Sequence, residues 1–116
     1  KKTDESKNVF IKIVARSATR YNIYMIKSFK HTGLEKFFVK GTAAGIQAKH
    51  IKKLRLQLAV INTASVIADI NKPGWRLHQL NPKKDDIWAI DVNGNWRVTF
   101  QFRNGNAFIL DYRDYH

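Results

Sequence analysis

Residues 111–116 read D-Y-R-D-Y-H: two carboxylates, two phenols, a guanidinium and an imidazole in six positions. Chain ends usually fray and tend to be small and polar, so groups that carry charge, move protons and stack on rings suggest use. Two more such groups lie upstream, Arg97 in N-W-R-V-T-F-Q-F and His78 in W-R-L-H-Q-L. If one site gathers His78, Arg97, Asp114, Tyr115 and His116, it holds what metal-free RNA cleavage needs. A base takes the 2′-hydroxyl proton, a cation stabilises charge on the transition-state phosphate, and an acid protonates the departing 5′ oxygen. An aromatic ring stacks on an unpaired base and holds the backbone in line. Each residue also has an ordinary reading: Arg97 as a surface arginine on a solvated strand, His78 as a structural histidine.

Other chemistries lack support. The chain has no cysteine, hence no thiol nucleophile, thiolate metal site or disulfide scaffold. No H-E-x-x-H or comparable spacing joins the four histidines, so no metal is expected. Gly-rich phosphate loops, G-x-G-x-x-G and G-x-S-x-G are absent as well, leaving nucleotide hydrolysis, dinucleotide redox chemistry and serine hydrolysis without a motif, and no cofactor is expected.

The elements that would position these groups follow from periodicity. Residues 25–29 suggest a short strand, and Leu34, Phe37, Phe38 and Val39 after Gly33 a short amphipathic helix. Ile51, Leu54, Leu58 and Ile61 recur in steps of three, four and three, the stripe of a helix packed on one face. Lys49, Lys52, Lys53 and Arg55 fall mainly off that stripe. Residues 65–70 suggest a further helical turn before N-K-P-G breaks the chain. Beyond it the pattern is β: 75–80, 87–92, 96–102 and 107–112, with Asn93-Gly94 and Asn104-Gly105 as type I′ hairpin turns. Trp96, Val98, Phe100 and Phe102 then share one face, and Arg97, Thr99, Gln101 and Arg103 the other. Strict two-residue turns set Arg97 beside Ile90 and Tyr112. The expected architecture is α+β, with N-terminal helices packed on an antiparallel sheet of four to five strands.

Charge narrows the partner. The formal net charge is +12 and the isoelectric point about 10.2. Residues 1–24 hold six basic and two acidic residues, so 25–116 keeps +8. An excess of this size works against compactness and favours a polyanion, nucleic acid first. No stretch has the roughly 18 apolar residues of a membrane helix, and the start is a poor export signal. A cytoplasmic protein without membrane contact is expected. Met25 reads as a natural start, so 1–24 is taken as an extension and 25–116 as the domain.

Across 25–116 the chain resembles the HigB branch of the RelE-like toxins. The matching stretches are M-I-K-S-F-K-H-T-G-L-E-K-F-F, A-G-I-Q-A-K-H-I-K-K-L-R-L-Q-L, P-G-W-R-L-H-Q-L, I-W-A-I-D-V-N-G-N-W-R-V-T-F-Q-F and A-F-I-L-D-Y-R-D-Y-H. The resemblance implies a RelE-like fold and ribosome-dependent, metal-independent cleavage of mRNA in the decoding A site, which inhibits translation. It implies a HigA-type helix-turn-helix antitoxin as partner, with operator DNA reached only through the toxin–antitoxin complex. Its active-site positions fall on His78, Arg97, Asp114, Tyr115 and His116. Lys49, Lys52, Lys53 and Arg55 are expected on ribosomal RNA. One departure stands out: Asn81 occupies the place of a family lysine. Asparagine carries no cation, so either Lys83 or Lys84 takes that role, or the chain is a degenerate module that binds RNA or antitoxin without cutting. A DNA-binding repressor is the weakest reading, because no helix-turn-helix pair stands out.

Overall fold

The computed structural model describes residues 24–80 and 86–115. Residues 1–23 of the extension, Asn81, Lys83, Lys84 and His116 lie outside the described residues. Helix α1 (Thr32–Lys40) begins where the His31 ring nitrogen Nδ1 accepts the Leu34 N–H at 2.9 Å. It ends at Gly41, whose φ of 78° is a left-handed conformation that glycine adopts without steric cost, with its N–H on the Phe37 carbonyl at 3.0 Å. A 3₁₀ turn (Ala48–His50) leads into α2 (Ile51–Thr63), which buries Leu54, Gln57, Leu58 and Ile61 and leaves Ile51 only partly covered. The expected stripe is therefore joined by a fully buried glutamine. A second 3₁₀ turn (Ile67–Ile70) occupies the 65–70 region.

The sheet has four antiparallel strands in chain order: β1 (His78–Gln79), β2 (Ile87–Asn93), β3 (Trp96–Arg103) and β4 (Asn106–Asp114). Helices cover one face. Leu34, Leu54, Leu58 and Ile61 meet Ile90, Val98, Phe100, Leu110 and Tyr112 in a single core. The other face carries the polar residues of the strands. Among the described residues no helix is long and apolar enough to cross a membrane.

Four local expectations are corrected. The expected strand over 75–80 shrinks to two residues, because Arg76 sits at φ 51° and takes the backbone out of the extended region. Residues 25–29 form no strand of their own. They touch β4 through two isolated parallel bridges, Ile26 to Ala107 and Phe29 to Leu110. The first hairpin turns at Gly94-Asn95 rather than Asn93-Gly94. Only Gly94, at φ 58°, is left-handed there, which matches a II′-like turn with glycine first. The second turn has both Asn104 (φ 52°) and Gly105 (φ 79°) left-handed, as a I′ turn requires. The shifted turn, with irregularities between Asp91 and Asn93 and between Thr99 and Gln101, changes the register. Arg97 lies opposite Asp91 and Arg113, and Ile90 and Tyr112 lie opposite Val98 in the core.

Candidate functional site

Strand alternation and register together fix which side chains share the face away from the helices. One row across the sheet runs His78, Ala89, Thr99, Asp111. The next row runs Asp91, Arg97, Arg113. His78 and Arg97 are thus two strands apart across the sheet and two residues apart along it, roughly 10 Å by 7 Å. Both are partly buried.

The tail does not leave the sheet after β4. The Tyr115 N–H donates to the Asn95 carbonyl at 2.9 Å, so the hairpin turn pins the residue. The Arg113 guanidinium lies over the Tyr115 ring, 5.0 Å from its centre, close enough for a cation–π contact. Tyr115, Arg113, Asp111, Thr99, Lys30 and Leu80 line an open concavity of about 210 Å³. Asp114 pairs with Trp96 across the ladder. By alternation it belongs to the opposite face from Arg113 and Tyr115, at the exposed margin of the sheet.

Arg97 is held from several sides. Its Nε lies 2.9 Å from Asp91 Oδ1, and Nη1 donates to the Gly94 carbonyl at 2.8 Å and the Trp96 carbonyl at 3.3 Å. Asp91 Oδ1 is buried and makes no well-aligned hydrogen bond, so charge rather than hydrogen-bond direction holds it against the guanidinium. The two side chains are 20% and 16% exposed, which puts this pair above ordinary surface ion pairs. Asp91 Oδ2 also meets Arg76 Nε at 3.2 Å, but the Arg76 side chain is 72% exposed, so that contact contributes little.

His78 Nδ1 lies 2.7 Å from the Arg76 carbonyl. A carbonyl only accepts, so Nδ1 carries the proton and neutral His78 keeps an unprotonated Nε2. This is the tautomer that a general base needs.

The basic residues sort differently. Lys49 and Lys52 are exposed and Lys53 is partly buried. Arg55 is exposed but sits over the Phe37 ring at 5.5 Å, tying α2 to α1. The cations crowd the start of α2, whose first turn has no acidic residue. Cations there oppose the helix dipole, so fold stability alone does not account for them.

Sequence reasoning missed Arg113 and Asp91. A one-residue register error hid both, since strict turns put Ile90 and Tyr112 beside Arg97. Arg113 sits inside the D-Y-R-D-Y-H run that drew attention, and its i+2 relation to Tyr115 on a strand was the available signal.

Known proteins resemble the chain across this same region. The family model described as the RelE-like toxin of the type II toxin–antitoxin system HigB matches residues 27–116. The Endoribonuclease HigB of Proteus vulgaris is 46% identical over 92 residues, which span 79% of this chain and the whole of that relative. The chain thus belongs to the HigB-like family of RelE-like toxins of type II toxin–antitoxin systems.

Proposed function

We propose that this toxin is an endoribonuclease that cuts mRNA in the ribosomal A site, and that its neutralising partner is a HigA-type helix-turn-helix antitoxin. Operator DNA is reached only through that complex, and the setting is the cytoplasm. One observation carries the reading. Arg97 and Arg113 stand side by side on an open sheet face, with a tyrosine ring at one end and a histidine of suitable tautomer across the sheet. Like charges directly opposite on a sheet repel, and a phosphate between them turns that repulsion into attraction. The name of the Proteus vulgaris relative supports the same chemistry.

In this scheme a base removes the 2′-hydroxyl proton, and the 2′ oxygen attacks phosphorus. The bond from phosphorus to the 5′ oxygen breaks, and an acid delivers a proton to that oxygen. A cyclic phosphate and a free 5′-hydroxyl result. His78 Nε2 suits the base. His116 is assigned the remaining proton transfer, whereas Asp114, which strand alternation turns to the opposite face, is given no step at the phosphate. Arg97 stabilises the phosphate, with Arg113 as a second cation, and Tyr115 stacks on a base. Lys49, Lys52, Lys53 and Arg55 grip ribosomal RNA backbone, which gives the cations at the start of α2 a purpose. Lys83 or Lys84 supplies the cation that Asn81 lacks.

The test is to induce the full chain and map transcript 5′ ends. Growth stops and new ends fall inside translated codons, while Arg97→Ala lowers cleavage about 10²- to 10³-fold. Growth arrest with intact transcripts counts against nuclease action. The departure at Asn81 keeps a non-cleaving binding module as the second reading, and Asn81→Lys separates the two. A large gain in cleavage marks the present chain as attenuated.

A further inference from the structure

Asp91 is tied through both its backbone and its carboxylate. Its N–H donates to the Trp75 carbonyl at 2.7 Å, and its carbonyl accepts from Gln57 Nε2 at 2.8 Å. The carboxylate lies between Arg97 and Arg76. Gln57 is fully buried on α2, so the core helix holds the backbone of β2 at the point where its ladder with β3 becomes irregular. The segment 75–78 is tied in the same way: Trp75 to the Asp91 N–H, the Arg76 side chain to the carboxylate, and the Arg76 carbonyl to His78 Nδ1. Arg76 holds a left-handed backbone at φ 51°, which favours glycine. That conformation aims its carbonyl at the His78 ring while its side chain reaches Asp91.

We propose that Asp91 is a positioning residue for the cleavage reaction, setting both the direction of the Arg97 guanidinium and its spacing from His78. This rests on the reading of the face as an RNA-cleaving site. A guanidinium has five N–H donors. On Arg97, Nη1 is committed to two carbonyls of its own hairpin and Nε faces Asp91. Among the described residues Nη2 takes no partner, and it is the nitrogen placed to meet a phosphate oxygen. Without the carboxylate, only the two Nη1 hydrogen bonds oppose repulsion by Arg113, and the guanidinium turns its open edge away more readily. Asp91 therefore acts through other residues and touches no substrate atom.

Two readouts test this on the full chain: single-turnover cleavage of a short mRNA on programmed ribosomes, and NMR of the arginine side chains. In the native protein, rotation of the Arg97 guanidinium is slow compared with that of exposed Arg113. Asp91→Ala speeds that rotation and lowers the maximal cleavage rate about 10- to 100-fold, while half-saturation changes less than about threefold. Asp91→Asn keeps shape without charge and falls between the two. An Arg97 as mobile as Arg113 in the native protein overturns the proposal. So does a maximal rate within twofold of native in Asp91→Ala, or in Asp91→Asn should the alanine variant not fold. If native protein cuts nothing, the nuclease reading fails, and slow Arg97 rotation still reports whether Asp91 holds the guanidinium.

Discussion

His78 and His50 flank the same sheet, and each has its Nδ1 in a contact under 3 Å, yet they are set up in opposite ways. His78 donates from Nδ1 to a carbonyl at 2.7 Å, which leaves Nε2 as the acceptor of the neutral ring, on a partly accessible face. His50 is 1% exposed, with Nδ1 2.6 Å from the Tyr112 hydroxyl. That hydroxyl also accepts the Gln47 N–H at 3.2 Å and shares one hydrogen bond with His50 Nδ1. Among the described residues, His50 Nε2 is buried without a hydrogen-bond partner. Burial, then the charges of Lys49 and Lys53, holds its pKa below the ordinary histidine value. One imidazole faces an accessible sheet surface and the other is enclosed in an aromatic cluster with Trp96 and Tyr112. The difference lies in which partner Nδ1 meets and whether water reaches Nε2.

The largest expected effect separates the two by rate. His78→Ala lowers mRNA cleavage about 10²- to 10⁴-fold with little change in melting temperature. His50→Gln keeps cleavage within a few-fold at a temperature where it stays folded. Equal rate losses would show that the two histidines do not differ in this way.

A smaller effect separates them by stability. His50→Ala removes one of the two hydrogen-bond partners of the buried Tyr112 hydroxyl and costs about 1–3 kcal/mol in denaturant unfolding, whereas His78→Ala costs far less. The pH dependence has a definite sign. The folded-state pKa of His50 is lowered from an unfolded value of about 6.5. Below pH 6.5 the unfolded chain therefore binds more protons, and stability present above that pH is lost as pH falls through the window. Between pH 7 and 5.5 the native protein should lose melting temperature more steeply than His50→Gln. Parallel slopes would show that His50 is not what acid attacks.

The smallest effect is a control. Arg103 and Asp86 pair at 3.5 Å with side chains 53% and 56% exposed. Arg103→Ala should change stability by less than about 0.5 kcal/mol and leave cleavage unchanged. A larger loss would mean that this hairpin end does more than hold its turn.

Much of this arrangement was legible in the chain. The stripe through Leu54, Leu58 and Ile61 and the alternation in β3 reported burial directly, because solvent exclusion acts on side-chain polarity residue by residue. The sequence also drew attention to Arg97, His78 and Tyr115, which the structure places on one face. It did not carry the register. In N-G-N either pair of residues can form the turn, and the choice of Gly94-Asn95 with a bulge beside it moved every neighbour of Arg97 by one. The roles of Gln57 and Asp91 stayed hidden for the same reason: a polar residue on an apolar stripe and a strand aspartate acquire meaning only from partners distant in sequence.

Residues 24–30 cross the outer side of β4, bridging at Ile26 and Phe29 and giving the Lys27 and Lys30 N–H groups to the Ala107 and Leu110 carbonyls. At the far margin the outward groups of β2 are taken by Trp75 and by the short β1. Among the described residues, neither border of the sheet offers a long row of free donors and acceptors. Joining by strand addition is thus disfavoured at both borders, which guards against edge-to-edge aggregation. The strand borders therefore favour recognition of this protein through side chains of a sheet face or helix over pairing with its backbone.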